Sequence, residues 1–133
     1  MTDLYTLLYL STLTPGTDEL VVATIARRAR VANAALGISG LLVFDGASFL
    51  QRLEGPHDAL SRLVQQLRGD PRHVDMDVLC WQPLTGARLH AGWDLAYHMV
   101  EDADHALDRI RGRRGDEALA AFDRLASSWD LVG

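Results

Sequence analysis

Between Gly37 and Gly55 the sequence reads GISGLLVFDGASFLQRLEG, two β-patterned runs joined at Asp45-Gly46. An Asp-Gly pair flanked by such runs specifies a hairpin. On its first strand Ile38, Leu42 and Phe44 share one face, with Leu41 and Val43 opposite. On its second strand Phe49, Gln51 and Leu53 share one face, and Ser48, Leu50, Arg52 and Glu54 the other. Gln51 is thereby set between two apolar neighbours. A buried primary amide must place two donors and an acceptor, and an unmatched buried group costs about 1–3 kcal/mol. Two readings follow. Gln51 is a structural glutamine bonded to backbone or set at a sheet edge, or its partner lies elsewhere in the chain's chemistry.

The segments around the hairpin extend it into a sheet. Leu4 to Ser11, LYTLLYLS, is apolar on both faces and reads as a central strand, with Tyr5, Leu7, Tyr9 and Ser11 on one side. Thr14 to Thr17 is a turn, and Thr17 is the expected N-cap of a helix reaching Leu36. Val22, Ile25, Ala29, Ala32 and Leu36 mark its buried face, Asn33 lies beside that face, and Gly37 stops the helix. Gly55-Pro56 opens a second helix, with Pro56 at its first position and a stripe of Leu60, Leu63, Val64 and Leu67. Asp70-Pro71-Arg72-His73 connects it to a strand over Val74 to Gln82, where Val74, Met76, Val78 and Cys80 are expected on one side. A fifth strand is expected over Arg88 to Tyr97, carrying Trp93.

The order is therefore the ferredoxin-like βαββαβ pattern, an α+β fold, with an additional strand and two C-terminal helices. Right-handed crossovers place the first two helices on one sheet face. The other face, with Leu8, Leu10, Leu41 and Val43, needs cover. The tail offers a short helix over Ala103 to Arg111, a GRRG break at Gly112 to Gly115, and a helix over Asp116 to Trp129. Either these helices pack on the bare face or they bind another protomer. The expected division is a main domain over 1–99 and a helical extension over 100–133.

Composition narrows the class. A chain of 133 residues suits one domain. A net charge of −5 argues against general nucleic-acid binding. The single cysteine, Cys80, excludes an internal disulfide and a cysteine metal cluster, and fits a cytoplasmic setting. No apolar run approaches the roughly 20 residues that span a bilayer, so no membrane role is expected.

Taken together, LLYLS with Tyr9 and Ser11, ANAALGISG with Asn33, FLQRLEG with Gln51, DPRH with Asp70, Arg72 and His73, and GWDL with Trp93 resemble the BLUF family of flavin-based blue-light sensors. The resemblance covers about residues 4–97. It implies noncovalent FAD between the two helices. Gln51 would reach the flavin N5/O4 edge and Tyr9, and Asn33 the carbonyl and imide edge. Asp70, Arg72 and His73 would line the opening, while Ile25, Phe49 and Leu67 would touch the ring. The implied photoactive switch comprises Tyr9, Gln51, Trp93 and Leu95. Ala29, Ala32 and Leu95 depart from the residues often found at those positions (serine, a polar residue and methionine). The family implies a signalling protein, not an enzyme, with a protein partner or homo-oligomer engaged through the C-terminal helices. Two competing readings are a ferredoxin-like interaction module without cofactor and a flavin-dependent redox enzyme.

Overall fold

The structure is a computed structural model that describes residues 3–18, 20–88, 95–99 and 106–127. In chain order it contains β1 (Leu4–Leu13), α1 (Val21–Leu36), β2 (Ser39–Phe44), β3 (Ser48–Pro56), α2 (His57–Arg68), β4 (His73–Pro83) and β5 (Ala96–Met99). A short 3-10 helix (Ala106–Ile110) and α3 (Gly115–Ala126) follow. The sheet order is β4-β1-β3-β2-β5. Four strands form the antiparallel ferredoxin-like core, and β5 adds in parallel beside β2.

The hairpin forms as the sequence requires. Asp45 Oδ1 accepts from the backbone N–H groups of Ala47 and Ser48, at 2.9 and 2.6 Å, and Gly46 supplies a φ of 97°. An aspartate that satisfies the turn's amides, followed by a glycine free of Cβ clashes, closes the loop locally. All of β2 is buried, as is β3 up to Gly55.

Two apolar layers flank the sheet. One gathers Leu7, Tyr9, Leu42, Phe44, Phe49 and Leu53 under Val22 and Ala26 of α1 and Leu60, Leu63 and Val64 of α2. The other gathers Leu8, Leu10, Leu41, Val43 and Leu50 under Leu107, Ile110, Ala118, Ala121 and Phe122. The tail thus covers the second face of its own sheet. Each large side chain so buried contributes about 1.5–3 kcal/mol relative to exposure.

Several boundaries and one face differ from the sequence reading. Helix α1 begins at Val21 rather than beside Thr17, and Asp18 Oδ1 accepts from the Leu20 N–H at 2.9 Å. That local aspartate bond competes with helix formation and delays the start. Pro56 is the N-cap of α2 rather than its first helical residue. Strand β4 carries two bulges against β1. Leu8 pairs with Cys80 while Tyr9 pairs with Val78, and a second register shift spans Asp75, whose φ is +55°. The extra residue moves Cys80 to the second face with Leu79, whereas Met76 and Val78 stay on the first. Strict alternation therefore fails at Cys80. Arg88 is not in a strand; its guanidinium donates to Ser39 Oγ and to the carbonyls of Glu54 and Gly37. The C-terminal helix ends at Ala126 within the described residues, and Trp129 and Trp93 lie outside them.

Candidate functional site

The site is a cleft between α1 and α2 above the centre of the sheet. Its lining is Tyr9 and Ser11 of β1, Ile25 and Ala29 of α1, Leu42 of β2, Phe49 and Gln51 of β3, Leu67 of α2 and His73 of β4. Alternation brings the strand residues together: Tyr9 lies directly opposite Gln51 and Ser11 opposite Phe49 in the β1–β3 ladder.

One bond answers the question posed by Gln51. The Tyr9 hydroxyl donates to Gln51 Oε1 in the buried interior. The amide oxygen is used, and its NH2 is left available to donate. Tyr9 is 3% and Gln51 4% exposed. Burial, reinforced by the negative charge of Asp70, raises the Tyr9 pKa far above the ordinary tyrosine value, so the phenol is neutral and a donor.

Asp70 and Arg72 form an ion pair of 2.6 Å in the connection between Leu67 and His73, two residues of the cleft wall. Hydrogen bonding to Arg72 holds the Asp70 carboxyl below its usual range. They are not among the lining residues. Asn33 is fully buried in α1 one turn beyond Ala29, and it too lies off the lining. Leu95 is buried in the layer shared with Tyr9 and Leu42, and its carbonyl accepts from Arg30 Nε at 2.7 Å. Of the expected site residues, the cleft wall therefore unites Tyr9, Ile25, Phe49, Gln51, Leu67 and His73.

The lining also includes Ser11 of the LLYLS motif and Leu42, neither of which is among the expected flavin contacts. Ser11 Oγ is buried without a hydrogen-bond partner, although Ser11 is 1% exposed. Its position two residues after Tyr9 on the same strand face was a usable signal. Both ring nitrogens of His73 also lack a partner of normal geometry, although the Leu67 carbonyl is near enough to favour protonation. Native interiors rarely strand such groups without a ligand or water. A cleft with aliphatic and aromatic walls, an unmatched serine hydroxyl, an imidazole and a primary amide fits a flat heteroaromatic ring with polar edges.

Desolvation lowers the His73 pKa below its ordinary value of about 6.5. The unfolded chain then binds more protons than the folded one between the lowered value and about 6.5. Stability therefore rises with pH through that window and is complete above it. We expect the urea midpoint to fall between pH 7 and pH 5, and His73→Phe to flatten that fall. An equal fall in the variant would remove His73 as its source.

Among the described residues no group of three or more His, Cys, Asp or Glu could hold a metal ion, and no helix is long and apolar enough to cross a membrane.

Comparison with known proteins agrees with the geometry. The subunit beta of photoactivated adenylate cyclase from Euglena longa is 38% identical over 92 residues, which is 69% of this chain and 11% of that protein. The chain spans only about a tenth of the length of this curated relative. The dark-state structure of BlrB, a BLUF protein, superposes with a TM-score of 0.78 at 30% identity, covering 97% of this chain and 99% of BlrB. Klebsiella pneumoniae BlrP1, solved with FMN and cyclic diGMP, gives a TM-score of 0.68 at 30% identity over 94% of this chain and 34% of that one. The profile of sensors of blue light using FAD matches residues 4–96. That match spans the hairpin, both cleft helices and every residue of the cleft wall, and the chain belongs to the BLUF family of FAD-using blue-light sensors.

Proposed function

We propose that the chain is a photoreceptor whose primary event is a change in the hydrogen bonding of Gln51. The observation that carries this reading is the Tyr9–Gln51 bond inside the cleft. FAD would be held between α1 and α2, with Ile25, Phe49 and Leu67 against its ring and Asn33 at its carbonyl and imide edge. Asp70, Arg72 and His73 would border the opening, with the Arg72 charge toward the phosphates. Bound flavin supplies the blue-light chromophore and a transient electron acceptor.

The residues of this chain do the rest. Tyr9 would supply the electron that this acceptor takes and pass its hydroxyl proton along its bond to Gln51 Oε1, recovering both, so no net redox change would result. During that interval the hold of Tyr9 on Gln51 Oε1 lapses. The amide then turns or changes tautomer and settles into a second arrangement with its partners satisfied. Each arrangement is a local minimum, and light changes which one is populated. Trp93 and Leu95 are the expected neighbours that repack.

Residues 1–99 form the sensor and residues 100–133 the extension that delivers the signal. Its recipient is a protein partner or a second copy of the chain, in the cytoplasm. The cyclase activity named for the Euglena longa relative belongs to that much longer protein. The reading is tested by reconstituting the purified chain with FAD and recording its absorption in darkness, under blue light and during recovery. A small red shift that reverses in the dark is expected. Substrate-driven flavin reduction in darkness would favour a redox enzyme, and a folded protein that takes up no flavin would favour a cofactor-free module.

A further inference from the structure

We propose that Arg52 is a positioning residue that carries the change at Gln51 through the sheet to α3. This rests on the photoreceptor reading above. Gln51 and Arg52 are consecutive on β3, so their side chains leave opposite faces of the sheet. Gln51 enters the cleft. Arg52 enters the second apolar layer, where it is 4% exposed.

There Arg52 Nη1 donates to Asp123 Oδ1 at 2.9 Å, and its Cζ lies 5.3 Å from the ring centroid of Phe122. One side chain rooted beside the switch thus grips two consecutive residues of α3. Phe122 is itself buried. Arg52 Nε is buried with no acceptor, so the guanidinium is held at one end only.

The two ends of the ion pair differ in solvation. The Arg52 side chain is 5% exposed and that of Asp123 60%. Water can therefore replace Arg52 as the partner of Asp123, and opening this contact costs little at the aspartate end. A planar guanidinium also stacks and bonds in one orientation, so a small rotation of β3 misaligns both contacts together. The connection from Gln51 to α3 is a single peptide unit and one side chain, shorter than a route through the fifth strand.

The test uses the FAD-loaded chain and its Asp123→Ala, Asp123→Asn and Asp123→Glu variants. Deuterium uptake over residues 115–126 is followed in darkness and under blue light, with visible absorption recorded on the same samples. In the unmodified protein, light should raise α3 uptake about three- to tenfold, the scale of a local opening. In Asp123→Ala and Asp123→Asn, dark uptake should already match that lit level and light should add little. Asp123→Glu should restore the light response. The flavin red shift should keep its size in all four proteins.

A purely structural contact would raise dark uptake in the variants yet preserve the light-to-dark ratio, and that result overturns the proposal. So does an unmodified protein whose flavin shifts while α3 uptake stays constant. Loss of the red shift in the unmodified protein would contradict the photoreceptor reading instead, and absorption reads that failure separately.

Discussion

Gln51→Leu abolishes the light-induced red shift while leaving FAD bound. Leucine keeps most of the volume between Phe49 and Leu53 and removes every hydrogen-bonding atom of the switch. The Tyr9 hydroxyl then loses the acceptor it holds on Gln51. A buried donor left unmatched costs about 1–3 kcal/mol, partly offset by the apolar leucine. The variant should therefore fold, stay yellow, and show no light-minus-dark difference at the red edge of the flavin band. Difference spectroscopy at matched flavin content is the measurement. A shift of wild-type size in this variant would remove Gln51 from the mechanism.

Gly40→Ala should be the most damaging single methyl group in the sheet. A Cβ at Gly40 would lie 2.5 Å from the carbonyl oxygen of Arg52 and 2.6 Å from Leu53 Cδ2. The leucine methyl can move, but the carbonyl belongs to the buried β2–β3 ladder, in which Gly40 pairs with Leu53. Overpacking against backbone falls at the upper end of the usual range, about 3 kcal/mol, and should lower Tm by roughly 10 °C. Gly69→Ala is the comparison. Its Cβ would meet nothing nearer than 3.7 Å, and Gly69 already has a φ of −88°. That variant should melt within a degree or two of the parent. Equal melting of the two would show that β2 can shift away from β3.

Much of this was legible in the sequence, for identifiable reasons. Both sheet faces of β1, β2 and β3 follow from period-two alternation, because these strands pair without interruption on one another. Alternation also placed Gln51 between two apolar neighbours and the family resemblance implied its contact with Tyr9, but only the register fixed them as direct partners. The β4 bulges were not legible: one extra residue inverts the face of Cys80, and its signal is a backbone twist rather than a residue type. The start of α1 was misplaced because Asp18 satisfies the Leu20 amide before the helix begins. The hydrophobic stripe of the last helix identified a face needing cover but not what it covers. Its place in the apolar layer with Leu41, Val43 and Leu50 depends on contacts far apart in sequence. Ser11 belongs to the LLYLS motif, but a serine on a strand shows no place in a site until its burial and unmatched Oγ are known.

In the proposed mechanism light rearranges hydrogen bonds around Gln51 without net electron transfer. Light-minus-dark infrared difference spectroscopy of the FAD-loaded chain tests it most directly. The flavin C4=O stretch should move to lower frequency under blue light, as a carbonyl that gains a hydrogen bond does, and return fully in the dark. Both features should vanish in Gln51→Leu. A carbonyl band that stays in place, or bands of a reduced flavin that persist after the light is removed, would contradict the mechanism.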